Sequence, residues 1–361
     1  MNKIPFSEDE LKVIGSHPVT TQARMYVPPK LNTPITPKEN VRLAWKHEGC
    51  LWFPQGADFA TMGPRVIVDN VARAFVFDCG PLLTDEQKGG KDMFGVEWTY
   101  VPVVGGSMVQ PGAPMLTDAN DWPEVIKFPD VSKFDWDDCA KVNARLNETV
   151  RSFSVTILNG LYERMISFMD FENAAMALID EEQQDAVHAL LDKLADMYIE
   201  IIGHLLESFK LDGIVFHDDW GSQRAPFFSL DTCMEMIVPH MKKISDFCHE
   251  KGLWFQLHCC GKNELLVPAM IAAGVDMWAP QRMNDVDMLR EKYGDKLMFS
   301  VFAPTLDKDA TPEQIDAAAQ ELVARYVDGF DEKPIFISNM NAVPGYNEAI
   351  YKFSRKALCG E

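Results

Sequence analysis

Four stretches of the chain carry side chains that could do chemistry. The most arranged is His258-Cys259-Cys260-Gly261, which follows the apolar run Leu253–Leu257. In an extended strand, residues two apart share a face, so His258 and Cys260 point the same way. An imidazole beside a thiolate suits Zn²⁺, a borderline-soft ion that takes both donors at ~2.0–2.3 Å. A catalytic zinc needs a third protein ligand and one open position. The competing reading is a buried histidine between two packing cysteines, with Gly261 turning the chain.

The second stretch is Phe216-His217-Asp218-Asp219-Trp220-Gly221-Ser222-Gln223-Arg224. Asp218 or Asp219 could ligate a metal, act as acid or base, or hold a substrate hydroxyl, with His217 and Gln223 as substrate contacts. The alternative is a turn in which a carboxylate accepts loop N–H groups and pairs with Arg224. In the third, Lys91–Trp98, Glu97 sits among Phe94, Trp98 and Tyr100. Desolvation there would raise its pKa and make it a proton donor, with Phe94 and Trp98 against the substrate. Its bland counterpart is the exposed face of an edge strand. In the fourth, Ser338–Tyr346, the amides of Asn339 and Asn341 and the phenol of Tyr346 could orient a ligand or cap a turn.

These stretches need a scaffold that brings them together. After Phe153 short apolar strands alternate with helices: strands near 154–158, 213–217, 253–258, 275–279, 296–301 and 334–338, and helices near 161–179, 184–209, 265–272, 286–292, 311–327 and 346–358. Thr311-Pro312-Glu313-Gln314 is a capping box, and Thr36-Pro37-Lys38-Glu39 opens a shorter helix through Trp45. Such alternation means parallel pairing. With Leu51–Phe53 the strands number seven, and an eighth is expected somewhere in Phe75–Tyr100. No glycine-rich phosphate turn follows the first strand, which disfavours a doubly wound sheet. The expected fold is a (β/α)8 TIM barrel forming one domain over 1–361. It has an N-terminal extension over 1–50, an irregular lid-like insertion over 55–136 and a regular portion over 150–358. Gly95–Val101 alternates like a strand, and Gly105–Pro114 reads as a loop. Catalytic groups of such barrels lie where strands end, which is where the histidine- and aspartate-bearing stretches fall.

Composition narrows the function. In 361 residues, 54 Asp and Glu oppose 34 Lys and Arg, leaving a formal charge of −20. That balance disfavours broad nucleic-acid or anionic-lipid surfaces, which need clustered Lys and Arg. No apolar run reaches the ~20 residues of a membrane span. The start, MNKIPFSEDELKVIG, carries acids and no apolar core, so a cytoplasmic protein is expected. Eight cysteines in such a chain read as buried thiols rather than a disulfide framework. A G-x-S-x-G elbow, a P-loop and a dinucleotide fingerprint are all missing, which disfavours serine hydrolase, NTPase and nicotinamide chemistry. Also missing is a D-x-H-x-x-G run that would mark a resident cobalamin.

Taken together, TPKENVRLAW, KDMFGVEW, DGIVFHDDWGSQ, LHCCGKNELLVPAMIAAGVDMWAPQ and the turn from Asn341 to Ala349 resemble the uroporphyrinogen decarboxylase superfamily, over roughly residues 30–358. The resemblance implies a (β/α)8 barrel. True decarboxylases carry RQAGRY for an octa-anionic substrate; here Gln22-Ala23-Arg24-Met25-Tyr26 lacks the first Arg and the Gly, and the acidic chain suits such a substrate poorly. The other branch comprises corrinoid-dependent methyltransferases of anaerobes. Their zinc-dependent members use a His-x-Cys pair, matched by His258 and Cys260, and a later Cys, which would fall near Asn339–Asn341, where this chain has none. The resemblance therefore implies either zinc on His258, Cys260 and a carboxylate (Glu97, Asp218 or Asp219) or a metal-free site whose polar groups bind substrate. It further implies a methyltransferase of an O-demethylase system, with a methoxylated, aromatic donor and with cobalamin arriving on a separate corrinoid protein. Transfer to a thiol of the coenzyme M type, or porphyrinogen decarboxylation, is the alternative. The sequence leaves the oligomeric state open, a homodimer included.

Overall fold

The computed structural model describes residues 4–21, 29–103, 105–338 and 343–360. Its frame is a curled parallel sheet of seven strands: β1 (Phe59–Met62), β2 (Ser152–Ile157), β3 (Gly213–His217), β4 (Trp254–His258), β5 (Met277–Trp278), β6 (Met298–Phe302) and β7 (Ile335–Ser338). They are hydrogen-bonded in chain order from β1 to β7. The gap between the edge strands is bridged by the chain just before β1. There Gln55 forms a parallel bridge to Ile337, whose N–H donates to the Pro54 carbonyl at 2.7 Å. Around this ring run α1 (Leu161–Ala177), α2 (Gln184–Ser208), α3 (Leu230–Met236), α4 (Val238–Glu250), α5 (Val267–Ala272), α6 (Val286–Tyr293), α7 (Pro312–Tyr326) and α8 (Tyr346–Cys359). The architecture is the expected (β/α)8-type barrel.

Period-two alternation sorts the strand residues. Ile214 and Phe216 of β3 are fully buried outward, where Phe216 meets the Tyr198 ring of α2 edge-on at 5.3 Å and Phe255 of β4 at 5.6 Å. Each such aromatic pair adds ~0.5–1.5 kcal/mol to simple burial. Inward, the barrel floor is filled by Trp254, whose indole donates to Ser152 Oγ at 3.0 Å and packs edge-on against Phe59. Only glycine fits opposite it, because a Cβ on Gly213 would lie 1.9 Å from the Trp254 ring. With the floor plugged, the inward residues two and four positions on, ending at His217 and His258, line the open end.

The helix starts follow local chemistry. Thr311 accepts from Gln314 N while the Gln314 side chain accepts from Thr311 N at 2.8 Å, the expected capping box. Pro239 sits in the first turn of α4, where its missing N–H costs nothing, and so separates α3 from α4.

Several expectations fail. Leu51–Phe53, counted as the first barrel strand, is not a strand; that place is taken by β1 (Phe59–Met62), inside the segment expected to be an irregular insertion. The eighth barrel strand is not formed among the described residues of Phe75–Tyr100. Instead Gly63 bridges Phe77 antiparallel, and Gly90–Lys91, Glu97–Val101 and Gly106–Val109 make a small antiparallel sheet. The stretch read as a loop from Gly105 thus supplies a strand. The continuous helix expected over 161–179 is also broken: Asp170 leaves helical geometry at φ 60°, ψ 167°. Its carboxylate accepts Gly112 N at 2.9 Å while the Phe168 carbonyl accepts Leu116 N, so the insertion docks where α1 bends. No helix among the described residues is long and apolar enough to cross a membrane.

Candidate active site

His217 and His258 end adjacent parallel strands in register, which sets their imidazoles side by side. The rings stack with centroids 4.3 Å apart and planes 19° from parallel. Beyond β4 the alternation persists for two residues. Cys259 turns into the core, where its sulfur accepts Trp220 N at 3.3 Å, while Cys260 Sγ stands 3.4 Å from His258 Nε2. Asp219, beyond β3, accepts Cys260 N at 2.6 Å and so lies against the same group. The turn that permits this needs Gly261 at φ +103°, since a Cβ there would meet the Gly221 backbone at 2.4 Å. Its N–H donates to Gln281 Oε1 beyond β5 at 2.9 Å.

Ligand atoms of His217, Asp219 and His258 all lie within 4.8 Å of one another. Two imidazoles and a carboxylate so grouped at the strand ends, with Cys260 Sγ against His258, fit a zinc-like ion. Electrostatics agrees with that fit. Burial, helped by neighbouring His217, lowers the His258 pKa to about 3, keeping its imidazole neutral with a lone pair to offer. Burial and the Asp219 carboxylate push the Cys260 thiol up to about 12, and burial with nearby Glu163 raises Asp219. A bound cation would reverse both shifts by stabilising the deprotonated donors.

Behind His217 stands a group that the sequence analysis missed. His217 Nδ1 and Glu163 Oε2, on the first turn of α1, are 2.5 Å apart. Arg73 of the insertion reaches the other Glu163 oxygen at 3.2 Å, also donates to Asn159 Oδ1, and lies over the Trp98 ring at 4.9 Å. Burial alone would raise the Glu163 pKa, but His217 and Arg73 outweigh it and hold the carboxylate at about 2. Burial disfavours a charged His217, and Glu163 in turn outweighs that and raises its pKa. The readable signals were Asn159-Gly160 one residue beyond β2 and an acid at the third position of the next helix. Nothing in the sequence marked Arg73.

The other expected site residues are dispersed. Asp218 is fully buried and faces away from the cluster: it accepts Tyr162 N at 3.2 Å, Glu163 N at 2.9 Å and the Trp220 indole at 2.8 Å. It thereby caps α1, whose N-cap residue, Gly160, has no side chain to do so. Burial and Glu163 raise its pKa to about 7, but its lone pairs are directed at the helix. Glu97 lies on the exposed face of its strand, opposite Lys91, so the desolvation that was to make it a proton donor is absent. Phe94 is core, edge-on to Phe128 and Phe168. Trp98 is buried beneath Arg73, its indole donating to Asp92 at 3.0 Å, and Gln223 is exposed on its loop. Tyr346 is buried and donates to the Pro304 carbonyl at 3.2 Å. Asn339 and Asn341 lie outside the described residues, as does Gln22–Tyr26.

Comparison with known proteins agrees with this architecture. The uroporphyrinogen decarboxylase (URO-D) family model matches residues 161–342. A uroporphyrinogen decarboxylase of Pseudoalteromonas atlantica is 27% identical over 191 residues, which are 47% of this chain and 49% of that protein. The matched region thus spans about half the length of that relative. Among solved structures, a methyltransferase from Methanosarcina mazei superposes with a TM-score of 0.57 at 15% identity, covering 89% of this chain and 98% of the other, a likeness of fold. With just over half of its residues matched by that model, the chain belongs to the uroporphyrinogen decarboxylase family.

Proposed function

We propose that the protein is the substrate-side methyltransferase of an O-demethylating system, taking the methyl group of a methyl ether, with methoxylated aromatics as the expected donors, and passing it to a Co(I) corrinoid carried by a separate protein. The observation that carries this reading is the meeting of imidazole, thiol and carboxylate at the ends of β3 and β4, with Cys260 Sγ 3.4 Å from His258 Nε2 and Asp219 on the Cys260 amide. His258, Cys260 and Asp219 would hold zinc, with Asp219 as the carboxylate left open by the sequence. Zinc held there would supply Lewis acidity toward the ether oxygen.

The chain's own residues prepare the rest. The neutral His258 keeps a lone pair available without first losing a proton. The tight turn at Gly261 fixes Cys260 and Asp219 against each other. Arg73 and Glu163 form a charge-balanced pair beside His217. Preorganised groups of this kind are worth several kcal/mol, ~10²–10³ in rate, because they need no rearrangement as charge develops. The plugged barrel floor leaves the strand-end face for both methyl donor and corrinoid protein. The similarity in fold to a methyltransferase supports this reading, as does the absence of a D-x-H-x-x-G run.

The test mixes purified protein with a reduced corrinoid protein and guaiacol-type ethers, following the corrinoid spectrum and the released phenol. Stoichiometric methylation of the corrinoid, lost at least ~100-fold in Cys260→Ser, is expected. Failure across ethers, amines and thiols would discard the reading. Carbon dioxide release from uroporphyrinogen would point to decarboxylation instead.

A further inference from the structure

In the metal-ligand pattern implied by the resemblance, a later cysteine completes the His-x-Cys pair, and near Asn339–Asn341 this chain has none. The structure offers another donor in a different place. The His217 ring stacks on His258, and its ligand atom lies within 4.8 Å of those of His258 and Asp219. One of its two nitrogens is already committed, because Nδ1 faces Glu163 Oε2 at 2.5 Å. That contact leaves Nε2 as the nitrogen free to bind an ion.

We infer that His217 is a further metal ligand of this site, joining His258 and Asp219, and that Glu163 is the positioning residue that aims it. A substrate oxygen then enters as an added ligand in an expanded coordination shell. This inference rests on the metal named in the proposed function but not on the methyl-transfer reaction. A ligating histidine is commonly held by a carboxylate on its other nitrogen, which fixes tautomer and ring orientation, and loss of such a partner costs 10–100-fold in metal affinity. Glu163 is itself fixed twice. Its backbone N–H donates to Asp218 at 2.9 Å, and its second oxygen meets Arg73 at 3.2 Å. The adjacent Asp218-Asp219 pair therefore divides its work: one carboxylate anchors the helix turn that carries Glu163, and the other faces the ion.

The test is a double-mutant cycle on zinc affinity, measured by competition with a chromophoric chelator. The visible spectrum of the Co²⁺-substituted protein serves as a second readout. His217→Ala is expected to weaken binding at least ~10-fold and to change the Co²⁺ spectrum, and Glu163→Ala to weaken it 10–100-fold. Combining them should add no more than ~2-fold to His217→Ala alone, because Glu163 acts through that ring. Arg73→Met, which removes one of the two contacts that fix Glu163 but leaves the Glu163–His217 contact, should weaken binding less than Glu163→Ala does. Should Glu163→Ala not fold, Glu163→Gln takes its place in the cycle. The inference is overturned if His217→Ala binds like wild type, if the Glu163 loss persists undiminished without His217, or if the wild-type protein takes up no zinc. If the cycle holds while no methyl donor is turned over, the reaction proposed above fails and the ligand assignment stands.

Discussion

At the scale of single residues, neighbours in sequence serve opposite purposes. Asp219 faces the donor cluster, while Asp218 spends its lone pairs on the first turn of α1. Cys260 faces His258, while Cys259 packs in the core. The alternation of an extended chain explains both pairs, and it was readable for His258 and Cys260 from spacing alone. The choice between Asp218 and Asp219 was not, because it depends on a helix start more than fifty residues away. Asp58 offers a test of burial itself. Its carboxyl is almost inaccessible, with the Trp52 indole at 3.1 Å and Gln55 N at 3.0 Å. Burial outweighs these hydrogen bonds and raises its pKa to about 7. A carboxyl that binds its proton more tightly when folded stabilises the fold at low pH and loses that contribution as pH rises from about 4 through 7. Asp58→Asn, which stays neutral, should therefore gain melting temperature relative to wild type at pH 7.5 compared with pH 5. An equal difference at both pH values would contradict the burial argument.

At the scale of elements, the insertion is bound to the barrel by a buried ionic contact. Arg164 of α1 reaches Asp69 and Asp92, both from the insertion, and all three side chains are sealed from solvent. The guanidinium also lies 4.8 Å from the Phe94 ring and 5.5 Å from that of Phe168. Phe94, expected to meet substrate, is instead part of this clamp. The same segment carries Arg73 to Glu163, so the docking of the insertion determines what stands behind His217. Removing Arg164, the one cation between two buried carboxylates, leaves uncompensated charge, at a cost of about 3–5 kcal/mol. Arg164→Met should lower stability by that amount in denaturant titration. A companion Arg164→Met/Asp69→Asn/Asp92→Asn variant should recover a large part of the loss, because no charge is then stranded. Most elements of the regular portion were legible beforehand. Helix periodicity and caps such as Thr311 depend on residues within a few positions of each other. The break in α1 was not legible, since Asp170 leaves the helix to hold Gly112, a partner no local pattern reveals.

For the whole molecule, the ring is unevenly closed. β3 and β4 pair over five residues in register, whereas β7 meets the chain before β1 through a single bridge. Neighbouring contacts reinforce that seam: Phe53 N donates to Ser354 Oγ, and the Gln55 amide to the Asn347 carbonyl. Glu10, from the N-terminal extension, binds both Arg355 and the Tyr351 hydroxyl of α8. Opening free energy should still be lowest where the ladder is thinnest. In native-state hydrogen exchange, the Ile337 amide, held by Pro54, is expected to exchange at least ~10-fold faster than those of Val215 and Phe216. Equal protection would show that side-chain contacts make the seam as firm as the ladder.

The sequence by itself determined the parallel alternation of strands and helices, the strand-end position of the histidine-bearing stretches, and the shared face of His258 and Cys260. Each of these follows from chain periodicity, and therefore from residues close together in the chain. Tertiary structure alone decided that the eighth strand would be replaced by an antiparallel insertion, that Glu97 would stay in water, and that Glu163 and Arg73 would stand behind His217. Those outcomes depend on which distant segments come to lie side by side. Burial, hydrogen-bond partnership and the field at a titratable group all arise from that proximity.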